Sequence, residues 1–216
     1  TAAGGAGGCP RTVFQPSNTP DDIANDGSGI SLGMKFRSTQ NGFVTGLRYY
    51  KGAGSTGTRV GSLWSSTGTL LGQVNFTNET ASGWQQAALS SPVAITAGVT
   101  YVVSYFSPSG DYVATDPYFT QAVVNGPLRG LANGEDGPNG LYLYSATASF
   151  PSNSFNASNY WADVVFTPGA GGDETPPTVT SVSPQSGATG ISIGTTVIAN
   201  FSEAINPSTV TGTTFQ

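Results

Sequence analysis

The chain has 216 residues and a formal net charge of −5, with seven lysines and arginines scattered along it. This distribution offers no basic patch to neutralise phosphates, so it argues against nucleic acid as a partner. No apolar run approaches the ~20 residues needed to cross a bilayer, so the chain is not predicted to span a membrane. A composition rich in Gly, Ser, Thr and Asn but poor in lysine favours an exported bacterial protein over a cytosolic enzyme.

Short alternations of apolar and polar residues recur at about 10–14-residue spacing, which indicates an antiparallel all-β fold. Residues 1–9 are predicted to be a flexible Gly/Ala leader, and residues 11–14 a short first strand. The segment SLGMKFRS follows as a strand with its apolar residues on one face. The dipeptide Asn41-Gly42 after it predicts a hairpin into GFVTGLRYY.

A second hairpin is predicted further along the chain. Residues 60–65 and 70–77 alternate on either side of a Ser-Thr-Gly turn, so we expect them to pair with each other. Two more short strands are predicted at residues 84–89 and 92–95.

The strongest strand pattern is TYVVSYFS, which begins at Thr100 and is apolar on both faces. A strand of this kind belongs at the centre of a sheet, and residues 111–115 are predicted to pair back to it. Residues 116–140 hold many Gly, Asn and Pro and are predicted to form a long irregular loop, a feature that is often functional. The segments LYLYS and NYWADVVFT complete the series of strands.

About ten strands and no amphipathic helix predict an antiparallel two-sheet sandwich, of the jelly-roll type, over residues 10–167. Residues 168–177 are Gly-rich, then acidic, then Pro-Pro, and are interpreted as a linker. A new β pattern begins over residues 178–216. A sandwich needs ~100 residues, so we expect only part of a second β-domain there.

Several motifs resemble known bacterial families. SLGMKFRS, GFVTGLRYYKG, PVAITAGVTYVVSYFSPSGDY and NYWADVVF together resemble the domain-of-unknown-function family numbered 4082, over about residues 9–167. TPPTVTSVSPQSGATG and FSEAINPST resemble the opening of a bacterial Ig-like domain, so residues 178–216 are expected to be its N-terminal part. The resemblance implies a secreted, multidomain extracellular or cell-surface protein, whose modules stand in strings beside adhesive or polysaccharide-active partners. It brings no catalytic motif. The family often has a second cysteine where this chain has Arg11, so Cys9 has no local partner.

Residue types that carry catalysis are scarce in this sequence. The absence of histidine removes Ser-His-Asp and Cys-His catalysis and any histidine-based zinc site. Glycoside hydrolysis needs two carboxylates, but most of the twelve acids lie in turns or in the linker. Asp163 is the exception, because it lies within a likely strand, and no second carboxylate is an obvious partner for it. We therefore expect no enzymatic activity.

Two loops are rich in oxygen ligands of the kind that calcium prefers. PDDIANDGSG brings Asp21, Asp22 and Asp26 close together in sequence, which predicts a structural calcium ion there. The loop NGEDGPNG, residues 133–140, is a second candidate. Neither loop matches the D-x-[DN]-x-[DN]-G calcium pattern, and Asp, Asn and Gly are also common turn formers, so the alternative is two ordinary turns.

Aromatic residues offer the other candidate site. Trp64, Tyr142, Tyr144 and Trp161 alternate with residues that look core-directed, and with Asp163 they are predicted to bind a ligand. Exposed aromatic faces beside Asn, Asp or Gln suit sugar rings, which stack on their apolar faces and hydrogen-bond through their hydroxyls. The alternative is that these rings fill the core of the sandwich.

Three functions are compatible with these features. The leading hypothesis is a non-catalytic extracellular module that binds polysaccharide or another cell-surface ligand. The second is a structural spacer or fibre subunit of a cell-surface assembly, which forms a homopolymer through its incomplete Ig-like segment by β-strand addition. The third is an accessory domain of a larger secreted enzyme, with the chemistry outside these residues.

Overall fold

A computed structural model describes residues 10–169 and 178–202, and these two ranges belong to different compact units. Both are built of β-strands. Among the described residues no helix is long and apolar enough to cross a membrane. The strands of the first unit are β1 (Asp22–Asn25), β2 (Ile30–Ser38), β3 (Gly42–Lys51), β4 (Val60–Ser65), β5 (Leu70–Asn75), β6 (Gly83–Ile95), β7 (Tyr101–Ser107), β8 (Asp111–Ala114), β9 (Val123–Asn125), β10 (Leu128–Gly130), β11 (Leu141–Tyr144), β12 (Asn153–Ser154) and β13 (Ala162–Pro168).

The first unit is an antiparallel sandwich of a large and a small sheet. The large sheet has the order β12-β11-β2-β7-β4-β5, with β10 also paired to β2 and β9 to β10. The small sheet has the order β13-β3-β6, and β1 and β8 form a separate pair. The rings of Tyr49 on β3 and Tyr105 on β7 lie 4.7 Å apart in the core between the two sheets. The predicted all-β sandwich is confirmed, and its jelly-roll form stays a prediction.

Strand β7 holds the centre of the large sheet, as its sequence predicted. Every residue of β7 is buried, and β7 pairs with β2 on one side and β4 on the other. The predicted hairpin of β4 and β5 is also present, with Val60 opposite Asn75. A strand whose two faces are both apolar is buried on both, which is why its position could be inferred.

The hairpin predicted at Asn41-Gly42 is wrong. Strand β2 pairs with β7, β10 and β11, whereas β3 pairs with β6 and β13 in the other sheet. The turn therefore carries the chain from one sheet to the other. A Cβ atom on Gly42 would lie 2.5 Å from the Phe166 ring, so this crossing needs a residue without a side chain.

Other strand predictions need correction as well. Residues 11–14 form only an isolated bridge, from Arg11 to Phe166, and the two strands predicted within residues 84–95 are one strand, β6, with an irregularity in its pairing to β3. Strand β8 pairs with β1 and not with β7. The loop predicted at residues 116–140 contains the hairpin β9–β10, which extends the large sheet beside β2.

The second unit contains an antiparallel pair of strands, β14 (Val179–Ser183) and β15 (Ile198–Phe201). Both strands lie within the β pattern predicted from residue 178 onwards. The remaining residues of the predicted Ig-like segment, from residue 203 onwards, lie outside the described residues, as do the predicted leader at residues 1–9 and most of the linker.

Candidate functional site

Strand β11 brings two aromatic side chains to the inner face of the large sheet. Strand β11 pairs with β2 so that Tyr142 lies opposite Leu32 and Tyr144 opposite Ile30. Residues that lie directly opposite each other share a face of the sheet, and Leu32 and Ile30 belong to the main core. The two tyrosines therefore extend the core face towards the edge of the large sheet, with their rings 5.8 Å apart and nearly perpendicular.

A second pair of tyrosines reaches the same place from other parts of the chain. Tyr112 lies on β8, and Tyr160 lies two residues before the first residue of β13. Their rings are 5.8 Å apart at an interplanar angle of 77°. Together the two pairs surround a cavity of about 240 Å³, here named the tyrosine cavity. Its lining residues are Asp26, Ile30, Leu32, Tyr112, Tyr142, Tyr144, Phe155 and Tyr160.

The tyrosine cavity has a buried floor and an exposed rim. Ile30, Leu32 and Tyr160 are buried beneath it. Tyr144 and Phe155 are 51% and 58% exposed, so two aromatic rings at its mouth are available to a ligand. Large aromatic side chains that remain exposed beside a cavity are a common feature of binding sites.

The single carboxylate of the tyrosine cavity, Asp26, joins tyrosines from two different elements. Its Oδ2 accepts hydrogen bonds from the Tyr144 hydroxyl at 2.6 Å and from the Tyr112 hydroxyl at 3.2 Å. This hydrogen bond raises the pKa of Tyr144 to about 12, and burial raises the pKa of Tyr160 to about 12. Burial and the charge of Asp26 also raise the pKa of Tyr112. These phenols therefore stay protonated at neutral and mildly alkaline pH.

Asp163 and Arg48 form a buried ion pair on the outer face of the small sheet. Asp163 is fully buried, and its Oδ2 lies 2.9 Å from Arg48 Nη2. The same carboxylate accepts hydrogen bonds from the backbone N–H groups of Val13 and Phe14, which fixes residues 10–19, the N-terminal segment, over this face. Burial raises the pKa of Asp163, while Arg48 and the backbone donors oppose that rise. Asp163, predicted to contact a ligand, is enclosed in this network.

Trp161 is also in the interior, which corrects the solvent-facing orientation predicted for it. Its side chain is 2% exposed, and its ring packs against Phe14 at 5.2 Å and Tyr118 at 5.5 Å. The indole N–H donates to Thr115 Oγ1 at 3.2 Å. The alternation of β13 was a poor guide because the N-terminal segment covers the outer face of the strand.

Trp64 needs the same correction. It lies on the outer face of the large sheet, where it is 7% exposed and forms a small cluster with Val102, Leu141 and Phe150. Its indole N–H donates to Ser104 Oγ at 2.9 Å. The ring is covered by the chain that follows β11, so it has no surface to offer a ligand. Of the four predicted aromatic residues, the structure brings together only Tyr142 and Tyr144.

The three aspartates predicted to bind calcium do not share one set of contacts. Asp26 joins the tyrosine cavity, whereas Asp21 and Asp22 line a separate cleft with Asp116. Within residues 10–169 and 178–202, no group of three or more histidine, cysteine, aspartate or glutamate side chains is arranged to hold a metal ion. These contacts do not test whether calcium binds, so the structural calcium stays a prediction.

In the second calcium candidate, the loop of residues 133–140, the carboxylates are already paired with arginines. Glu135 lies 3.0 Å from Arg129, and Asp136 lies 2.9 Å from Arg37. The Asn139 side chain is buried and donates to the carbonyl of Leu131 at 2.7 Å. These contacts hold the loop against β2 and β10.

Sequence analysis did not identify three of the five aromatic residues of the tyrosine cavity as ligand-binding. Tyr112 and Tyr160 come from segments that meet only in the folded chain, so no local pattern links them. Phe155 lies in PSNSFNASN, where every neighbour is polar or small. A large apolar residue in a segment of turn formers is a signal that could have marked Phe155 as exposed.

Comparisons with known proteins agree with the two resemblances. A family model described as a domain of unknown function (DUF4082) matches residues 17–162, more than half of the chain. A second model, described as a bacterial Ig-like domain, matches residues 173–216. A search of curated proteins gives no match. Both families named from the sequence are therefore confirmed.

Proposed function

The chain belongs to the DUF4082 family, and we propose that it is a non-catalytic module that binds polysaccharide or another cell-surface ligand through the tyrosine cavity. The observation that carries this proposal is the convergence of four tyrosines, Phe155 and one carboxylate on a single opening. Aromatic faces and hydrogen-bonding groups in one cavity are what a sugar or a similar surface ligand requires.

The location of the protein follows from the Ig-like match. Bacterial Ig-like domains typically occur in surface or extracellular proteins, so the match over residues 173–216 indicates an extracellular or surface module. Secretion and polysaccharide binding are the finer parts of the proposal. A spacer in a surface assembly, or an accessory domain of a larger secreted enzyme, is compatible with the same match.

Binding without catalysis is supported by the chemistry of the tyrosine cavity. Glycoside hydrolysis uses two carboxyl groups about 5–9.5 Å apart, and the residues that line this cavity include one, Asp26. One oxygen of Asp26 already accepts two hydrogen bonds from tyrosine hydroxyls. The carboxylate is thus placed to orient the rings and to carry charge.

A binding screen with matched variants tests the proposal. We expect the protein to be retained on an affinity gel by at least one polysaccharide from a glycan array. Replacing Phe155 by alanine removes an exposed ring from the rim and should weaken retention about tenfold, the value of one good aromatic contact.

The matched control is Phe43→Ala, because Phe43 is also an exposed phenylalanine, 44% exposed on β3 and outside the tyrosine cavity. This control should be retained as well as the unmodified protein. Retention on none of the polysaccharides tested, or an equal loss with both variants, would contradict the proposal.

A further inference from the structure

The tyrosine cavity has the features of a site for a positively charged group without hydrogen-bond donors. We propose that it accepts a quaternary ammonium group, so that the surface ligand carries a trimethylammonium substituent. This inference rests on the proposed function, since it names the chemical group that the same cavity takes. Its basis is the charge, the shape and the hydrogen bonding of the eight lining residues.

The charge of the lining favours a cation. Five of the eight lining residues are aromatic, one is the carboxylate Asp26, and none is lysine or arginine. Aromatic rings present a negative face, and a cation over such a face is attracted more strongly when it has lost its water. The charged side chains that raise the pKa values of Tyr112, Tyr144 and Tyr160 are carboxylates, Asp26 for the first two and Asp116 for the third.

The shape of the tyrosine cavity suits a small, rounded group. The Tyr142 and Tyr144 rings are nearly perpendicular, as are those of Tyr112 and Tyr160, so rings of different orientation line the cavity. A volume of about 240 Å³ is below the roughly 300–1,000 Å³ of pockets that enclose a drug-sized ligand. The cavity therefore fits one substituent of a polymer better than a run of sugar rings.

Hydrogen bonding distinguishes a quaternary ammonium group from a primary amine. Asp26 Oδ2 is already occupied by the hydroxyls of Tyr112 and Tyr144, and the floor is apolar at Ile30 and Leu32. A primary ammonium group has three donors to satisfy, and of the two Asp26 oxygens Oδ2 already accepts from two tyrosines. A quaternary ammonium group has no donor and needs only the negative charge and the rings.

Titration with small probes tests the inference on the whole chain. Choline chloride is compared with 3,3-dimethylbutanol, a neutral molecule of the same shape, and with ethanolamine, which carries a primary ammonium group. We expect choline to bind about tenfold more tightly than either, equivalent to about 1.4 kcal/mol. Phosphocholine coupled to beads should retain the protein if the source is a surface polymer. Binding to free choline without retention on the beads would identify a free solute as the source.

Two variants locate the binding. Asp26→Asn removes the charge and should weaken choline binding about tenfold while changing the affinity for dimethylbutanol little. Phe155→Ala should weaken choline binding with no loss of folding, because the ring is exposed. Phe43→Ala and Asp22→Asn are the matched controls and should bind choline normally, and a thermal melt of each variant checks its fold.

The outcomes separate this inference from the proposed function. Equal binding of choline and dimethylbutanol, or tighter binding of ethanolamine, would overturn the inference. Retention by a neutral polysaccharide through Phe155, with no preference for choline, would also overturn the inference and leave the proposed function in place. Failure of all these probes and all polysaccharides would contradict both.

Discussion

Replacing Asp163 by asparagine should destabilise the sandwich strongly, because this residue joins three parts of the chain in the interior. Asp163 Oδ1 accepts from the N–H groups of Val13 at 2.9 Å and Val164 at 2.7 Å. Its Oδ2 accepts from Phe14 N at 3.1 Å and from Arg48 Nε at 2.9 Å. The substitution changes one of these oxygens into an NH₂ group and removes the negative charge.

The expected loss can be worked out from these contacts. If the asparagine oxygen takes the place of Oδ1, its NH₂ group faces Phe14 N–H and Arg48 Nε–H, both of which are donors. Removing one partner of a buried ion pair costs about 3–5 kcal/mol, because the other charge stays buried. Asp163→Asn keeps the two backbone hydrogen bonds to the Oδ1 position, so we expect a loss of unfolding free energy near the lower end of this range, about 3 kcal/mol. For a domain of this size, that corresponds to a fall in the melting midpoint of roughly 6–12 °C.

Urea unfolding followed by tryptophan fluorescence measures this loss. The control is Asp22→Asn, because the Asp22 side chain is exposed and its one hydrogen bond within the described ranges is to the N–H of the next residue, so its effect should stay within about 0.5 kcal/mol. The double variant Arg48→Met with Asp163→Asn should regain part of the loss, since the unpaired charge is gone. This account of the ion pair would be refuted if Asp163→Asn lowered the unfolding free energy by less than about 1 kcal/mol. It would also be refuted if the double variant lost as much unfolding free energy as the two single variants together.

Two other predictions concern the tyrosine cavity and the predicted calcium. Near-ultraviolet absorbance should show Tyr144 and Tyr160 ionising at about pH 12. Their pKa values in the folded protein lie above the unfolded value of about 10. The stability that these two tyrosines contribute is therefore complete below pH 10 and is lost as the pH rises towards 12. In Asp26→Asn the pKa of Tyr144 should fall towards its ordinary value, and an unchanged titration would contradict the role given to that hydrogen bond. If calcium binds near residues 21–26, as the sequence predicts, the melting midpoint should fall when a chelator is added, and an unchanged midpoint would rule it out.

The sequence was a good guide to where strands occur and a poor guide to which strands pair. Alternation marks a strand with one buried face and a continuous apolar run marks a strand buried on both, so β7, the β4–β5 hairpin and β11 were predicted correctly. Pairing depends on contacts between distant parts of the chain. The Asn41-Gly42 turn illustrates the limit, since an Asn-Gly turn favours a reversal but cannot state that β2 and β3 lie in opposite sheets. The hairpin β9–β10 was missed because each of its strands has three residues, too few for a visible period.

The candidate site was predictable only where its residues share one strand. Tyr142 and Tyr144 are two residues apart, so their common face follows from the period of a strand. The contributions of Tyr112 and Tyr160 depend on how β8 and the start of β13 approach β11, which no local pattern encodes. Asp26 was recognised as functional, but its position in an acidic loop suggested a metal ligand, whereas its contacts are tyrosine hydroxyls.

One physical cause explains why Trp64 and Trp161 are buried, against the prediction, while Tyr144 stays exposed. Alternation predicts that every second residue of a strand faces solvent, but in this fold irregular segments cover parts of both outer faces. The N-terminal segment encloses Trp161 and Asp163, and the chain after β11 brings Phe150 over Trp64, 5.8 Å from its ring. At Tyr144 and Phe155 no such cover is present among the described residues, and both rings remain more than half exposed. Each Å² of apolar surface that stays in water forgoes roughly 25 cal/mol of stabilising free energy, which the chain gains where it buries its other rings. Two open rings that stand together at the mouth of one cavity have the arrangement expected of a binding site.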